Sequence, residues 1–124
     1  MAYTTIDDPS AFFKCHLYTG TGSTNAQTFA DTDTNMQPDM VWIKSRSDEF
    51  SHMLYDAARG VQKHLKPDST AAEATDANSL TTFGSDGFTV GTNTDLNNSS
   101  DTYVAWSWKA GTTSGIDATG ADIT

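Results

Sequence analysis

Basic residues, cysteine and long apolar runs are all scarce in this sequence, and each shortage removes a class of function. Seven Lys and Arg stand against sixteen Asp and Glu, a formal charge of −9. A surface with that balance repels phosphate backbones and anionic lipid headgroups, so neither nucleic acid nor membrane is expected as a partner. The single cysteine, Cys15, allows no intramolecular disulfide and no multi-cysteine metal site. It alternates with Lys14 and His16 and shares its parity with Phe13 and Leu17, so it is expected as an inert thiol buried on the apolar face of a strand. No apolar run approaches the ~20 residues of a membrane-spanning helix. The start Met-Ala-Tyr-Thr-Thr has no basic n-region and no apolar h-region, which leads to the expectation of a soluble protein made in the cytoplasm without an export signal.

Hydrophobic residues are also few, at 36%, while Thr, Ser, Asp, Asn and Gly are plentiful, a mixture suited to short strands joined by polar turns. Three Trp, four Tyr and six Phe supply much of the apolar area a core needs. At 124 residues the chain has the size of one domain. Residues 1–11 are polar and are expected as an N-terminal arm. Residues 12–18 alternate with period two and predict a strand, and a weaker one is expected over Ala26–Ala30. Met40–Lys44 carries apolar residues on both faces, the pattern of a strand in the middle of a sheet. His52–Arg59 fits either two helical turns or a strand running into a turn at Gly60, and the β context favours the strand. Residues 66–79 predict a long surface loop with one helical turn. Leu80–Phe83 and Phe88–Val90 flank an Asp86-Gly87 turn, a hairpin signal. Residues 92–101 predict a second polar loop, and Thr102–Lys109 a second central strand with Val104, Trp106 and Trp108 on one face. About six to eight such strands predict an all-β, single-domain β-sandwich or jelly roll over 12–111. Residues 112–124 are expected as a flexible polar tail or linker. The expected core is Trp42, Ile43, Val41, Leu54, Phe88, Val90, Val104 and Trp106.

Signals of chemistry are few. There is no Gly-x-Ser-x-Gly elbow, no phosphate loop and no His-Glu-x-x-His, and no cofactor or enzymatic activity is expected. His16, His52 and His64 are scattered and are expected as surface or packing residues. Ser85-Asp86-Gly87 and the run from Asp95 to Asp101 offer oxygens of the kind calcium takes, but without EF-hand spacing. They are expected as turns, and no metal site is assigned. Asp56 and Arg59 are expected as a structural ion pair pinning the loop after Gly60. Flat indole rings stack on pyranose faces, which makes Trp108 with Asn97, Asn98 and Asp101 a candidate glycan contact.

The order of several blocks resembles a module of tailed-bacteriophage structural proteins, marine phages especially. They are Tyr18-Thr19-Gly20-Thr21-Gly22, Gln37-Pro38-Asp39-Met40-Val41-Trp42-Ile43-Lys44 and His52-x-Leu54-Tyr55-Asp56-x-x-Arg59-Gly60. Ser85-Asp86-Gly87-Phe88-Thr89-Val90-Gly91 and Tyr103-Val104-Ala105-Trp106-x-Trp108-Lys109-Ala110-Gly111 complete the series over residues 18–111. The resemblance implies a lectin-like sandwich in a virion protein, a tail fibre or fibre adaptor, with other virion proteins as partners and no catalytic residues. Fibres of this kind are typically trimeric, so a homotrimer is the leading expectation. The short polar tail departs from longer relatives, in which a Gly-rich linker and another module follow. It keeps open a capsid decoration protein on the phage head, and a module that attaches to host surface glycan is the other alternative.

Overall fold

The computed structural model describes residues 8–30 and 34–110. The expected C-terminal tail, 112–124, and most of the expected N-terminal arm lie outside the described residues. The described chain opens with a 3-10 turn, Pro9–Ala11, whose cap Asp8 accepts the Ser10 N–H at 2.9 Å. Nine strands follow: β1 Phe13–Thr19, β2 Asn25–Thr28, β3 Met40–Ser45, β4 Met53–Asp56, β5 Lys63–His64, β6 Ala74–Thr75, β7 Leu80–Gly84, β8 Gly87–Val90 and β9 Thr102–Trp108. One helical turn, α1 Thr94–Asn97, precedes the last strand. All named pairings are antiparallel. A four-stranded sheet in the order β1-β9-β3-β4 and a three-stranded sheet in the order β2-β8-β7 share one core, and the β5-β6 ribbon joins the β4 edge through reciprocal Leu54–Leu65 backbone hydrogen bonds. The domain is therefore all-β and sandwich-like, as the strand spacing predicts.

Within 52–59, Met53–Asp56 forms a strand that runs into a turn at 57–59, with Met53 and Tyr55 buried on one side and Leu54 and Asp56 half-exposed on the other. The two polar loops carry more structure than their composition suggests. Loop 66–79 contains β6, and loop 92–101 contains α1, started by Asn93, whose side chain accepts the Asp95 N–H at 2.8 Å. At the β7–β8 hairpin, Gly87 has φ +149 and lies against β2, where a Cβ would strike the carbonyl oxygen of Gln27. Only glycine lets the two backbones approach this closely.

The core departs from the expected one in which face of the four-stranded sheet it uses. Val41, Ile43, Phe88 and Val90 are buried between the sheets as expected, joined by Met53, Tyr55, Leu80, Tyr103 and Ala105. Trp42, Leu54 and Trp106 are not: they lie half-buried on the opposite, outer face. Val104 is 8% exposed but belongs to that outer face too, by its alternation with Tyr103 and Ala105. Cys15 is exposed, not buried, and its neighbours Phe13 and Leu17 point outward with it, while Lys14, His16 and Tyr18 face inward.

Hydrogen bonding explains the inversion. The inward Tyr18 hydroxyl donates to the Leu96 carbonyl at 2.7 Å. The Tyr103 hydroxyl donates to the Thr94 carbonyl at 2.8 Å and accepts the Asn98 N–H at 2.8 Å. Inward Lys14 extends its ammonium to the Thr34 carbonyl at 2.8 Å, over the Phe29 ring. Lys14, Tyr18 and Tyr103 fit this core because their polar ends reach loop carbonyls inside it, whereas the buried Tyr55 and Ser107 hydroxyls have no hydrogen-bond partner among the described residues.

Candidate functional site

Strand register arranges the outer face of the four-stranded sheet as three rows. Phe13, Trp108, Met40 and Asp56 form the first, and Cys15, Trp106, Trp42 and Leu54 the second. Leu17, Val104 and Lys44 form the third, with His52 one position beyond the last paired residue of β4. Side chains two apart on a strand share a face, so these come from the outward positions of every strand in the sheet. Leu17 is 56% and Phe13 40% exposed, and the described residues leave the face open. The largest contiguous apolar patch on a monomer is often its contact surface.

The centre is held by ring contacts and a hydrogen bond. The Trp42 and Trp106 rings meet edge to face, 6.2 Å apart at 85°, and Phe13 leans on Trp108 at 5.2 Å. The Trp42 indole N–H donates to His52 Nδ1 at 3.0 Å, which fixes both rings. Accepting that bond leaves the proton of a neutral His52 on Nε2. Trp42, His52, Trp106 and Trp108 line a hollow of about 330 Å³. Trp108 also borders a wider depression of about 640 Å³, with Met40, Ala57 and Ala58 beside Asp39 and Asp56. Indole faces and aliphatic groups dominate the face, with the exposed Cys15 thiol on its β1 edge and the Asp39 and Asp56 carboxylates at one end. The arrangement offers flat, apolar contact area.

The expected glycan contact does not come together. Trp108 ends β9, whereas Asp101 precedes its start, a separation of ~20 Å along an extended strand. Asn97 is fully buried and its amide is fully used. Its Nδ2 donates to the Ser23 carbonyl at 2.5 Å and the Gly91 carbonyl at 2.7 Å. Its Oδ1 accepts from the Thr21 N–H at 2.8 Å and from Asn25 Nδ2 at 3.1 Å. Asn98 donates to Asp101 at 2.7 Å. These three residues close loops, as does Asp86, whose carboxylate accepts the Met36 N–H at 3.1 Å.

The Asp56–Arg59 pair forms as expected. The Arg59 Nε sits 2.5 Å from Asp56 Oδ2, and the Arg59 N–H donates to Oδ1 at 2.7 Å. Burial raises the Asp56 pKa, but hydrogen bonds from Arg59 and its charge outweigh that and hold the carboxyl below the usual range. The pair closes the turn between β4 and Gly60, where the Gly60 N–H returns to the Asp56 carbonyl. Behind β4, His64 is buried beside the Tyr55 ring at 6.0 Å, and its Nδ1 has no hydrogen-bond partner among the described residues. Burial first, and the Lys66 charge second, lower its pKa.

Sequence reasoning missed the outward positions of Phe13, Leu17, Trp42, Leu54 and Trp106. A signal was present: in β1 the smooth residues alternate with Lys14 and His16, and in β9 the bulky ones with Ala105 and Ser107. Which set faces the second sheet is not written in that alternation. Among the described residues no group of three or more His, Cys, Asp or Glu is placed to hold a metal ion.

Neither the curated proteins nor the solved structures contain a match to the chain. Residues 8–124 match a family described as Domain of unknown function (DUF7483), and the chain belongs to that family.

Proposed function

We propose that this domain is a non-enzymatic structural component of a tailed-phage virion, a piece of a tail fibre or its adaptor. It is held in the particle through the outer face of its four-stranded sheet. The observation that carries this reading is the exposed apolar face itself. Exposed Phe13 and Leu17 and the half-buried Leu54 and three tryptophans form one contiguous apolar patch, the kind that often marks a contact site. The succession of sequence blocks from Tyr18 to Gly111 supports the virion setting, and the acidic remainder of the surface keeps the unassembled protein soluble. A second reading, recognition of host glycan, is favoured by the Trp42–Trp106 corner, whose indoles offer ring faces to a pyranose.

A cryo-EM reconstruction of the phage that encodes the chain tests the proposal. Density at the tail with the tryptophan face against a neighbouring subunit is the expected result. Density on the head lattice makes it a decoration protein instead, and absence of the chain from purified particles refutes a virion role. Tryptophan face exposed on the particle, with fluorescence quenched by host polysaccharide, replaces assembly by glycan binding.

A further inference from the structure

We infer that the partner covering this face is a second copy of the same chain, packed sheet to sheet about a two-fold axis that crosses the strands along the row Cys15-Trp106-Trp42-Leu54. The inference rests on the reading of the face as an assembly surface and names its occupant.

Self-complementarity is the first argument. Rotation about that axis keeps each strand opposite itself and exchanges the two outer rows. Phe13 then meets Leu17 of the second copy, and the large Trp108 meets the small Val104. Met40 meets the aliphatic stem of Lys44, whose ammonium is already turned aside to the Ser45 and Asp48 carbonyls at 2.7 and 2.9 Å. Asp56 meets His52, so the polar corners meet each other and leave the apolar centre undisturbed. Trp108 thus faces the smaller Val104 and the polar corners face each other, while Trp42 and Trp106 on the axis row face their own copies.

Charge is the second argument. A chain of net charge −9 repels its own copies over most of its surface. The three rows hold one carboxylate, Asp56, already neutralised by Arg59. Two copies therefore approach most easily through this face. Area is the third. Four strands ~4.8 Å apart and six residues at ~3.3 Å each give ~400 Å² in projection, which protruding rings raise toward the ~600 Å² per partner at the lower end of specific interfaces. Aligned sheets pack ~10 Å apart with a rotation of ~30°, which leaves the central row in register and shifts the corners by a few ångströms.

Sedimentation equilibrium of the full chain over a range of concentrations tests this, alongside Leu17→Lys and Phe13→Lys. The wild type is expected as a dimer, and each variant, altered at an exposed residue, as a monomer with an unchanged circular dichroism spectrum. Because Cys15 sits on the axis row, a short bis-maleimide spanning ~10 Å should join two wild-type chains and fail with Leu17→Lys. A monomer at all concentrations, a trimer, or a dimer that survives both lysines overturns the two-fold pairing. A monomer that nevertheless occupies the virion with this face against a different chain overturns the pairing and leaves the virion reading standing. A dimer from a chain absent from the particle does the reverse.

Discussion

Replacing Asn97 with alanine separates a structural from a ligand-binding role for the loop before β9. The amide makes four hydrogen bonds, and their surroundings set the cost. Gly91 is buried, so its carbonyl has no water to turn to once Nδ2 is gone, a penalty of about 1–3 kcal/mol. Ser23 and Thr21 are exposed and Asn25 is half-buried, so solvent replaces those three bonds at about 0.5 kcal/mol each. The total is about 3 kcal/mol, or a fall of roughly 12 °C in Tm for a domain of this size. Asn98→Ala, which loses one half-exposed bond to Asp101, is the control and should cost under about 1 kcal/mol. Urea unfolding followed by tryptophan fluorescence, at one fixed protein concentration, gives both values. An Asn97→Ala protein within about 0.5 kcal/mol of wild type refutes the reasoning, and one that also loses glycan binding restores the sequence-based assignment.

The inversion of the four-stranded sheet makes Ile43→Ala more damaging than Trp106→Ala, despite the larger side chain removed from the latter. About 3 kcal/mol is expected for the former and about 1–2 for the latter in the monomer, measured by urea unfolding of a Leu17→Lys background. Arg59→Ala breaks a partly exposed pair and should lower stability by about 1 kcal/mol without other effect on the fold, as thermal melting will report. Stability should also fall with pH in two stages. The folded pKa of His64 lies below the 6.5 of the unfolded chain, so the unfolded state takes up its proton first, and stability that is complete above about pH 6.5 declines as the pH falls through that value. Asp76, held down by the Asn78 N–H and the Asn93 amide, and Asp56 have folded pKa values below 3.8, so their contribution is lost only as the pH falls through 3.8 and lower. His64→Gln should remove the first decline in urea midpoint and keep the second.

Strand positions were legible wherever period-two alternation met a turn signal, because both are local. β1, β3, β9 and the Asp86-Gly87 hairpin all emerge from adjacent residues, and so does the Asp56–Arg59 pair, three residues apart on one turn. Where polar composition hides order, local reading fell short. β6 and α1 are held by distant partners, the Asp76 N–H to the Gln62 carbonyl and the Asn97 amide to residues more than seventy positions away. The glycan candidates failed for a related cause. Asn97 looks like a free loop amide until the chain folds back and encloses it.

The amino-acid sequence alone determined an all-β domain, the seven strands of its two main sheets and the division of each of these strands into two sets of side chains. Alternation is a property of one strand, and it makes no distinction between the side that meets another sheet and the side that does not. Only the tertiary structure decided that Tyr18, Tyr103, Val41 and Ile43 face inward while Trp42, Trp106 and Leu17 face out. The physical reason is that the tyrosine hydroxyls find carbonyl partners inside at Leu96 and Thr94. The indole of Trp42 finds its own partner, His52, on the outer face. The surface that matters for assembly is the one left over once the core has taken what it can satisfy.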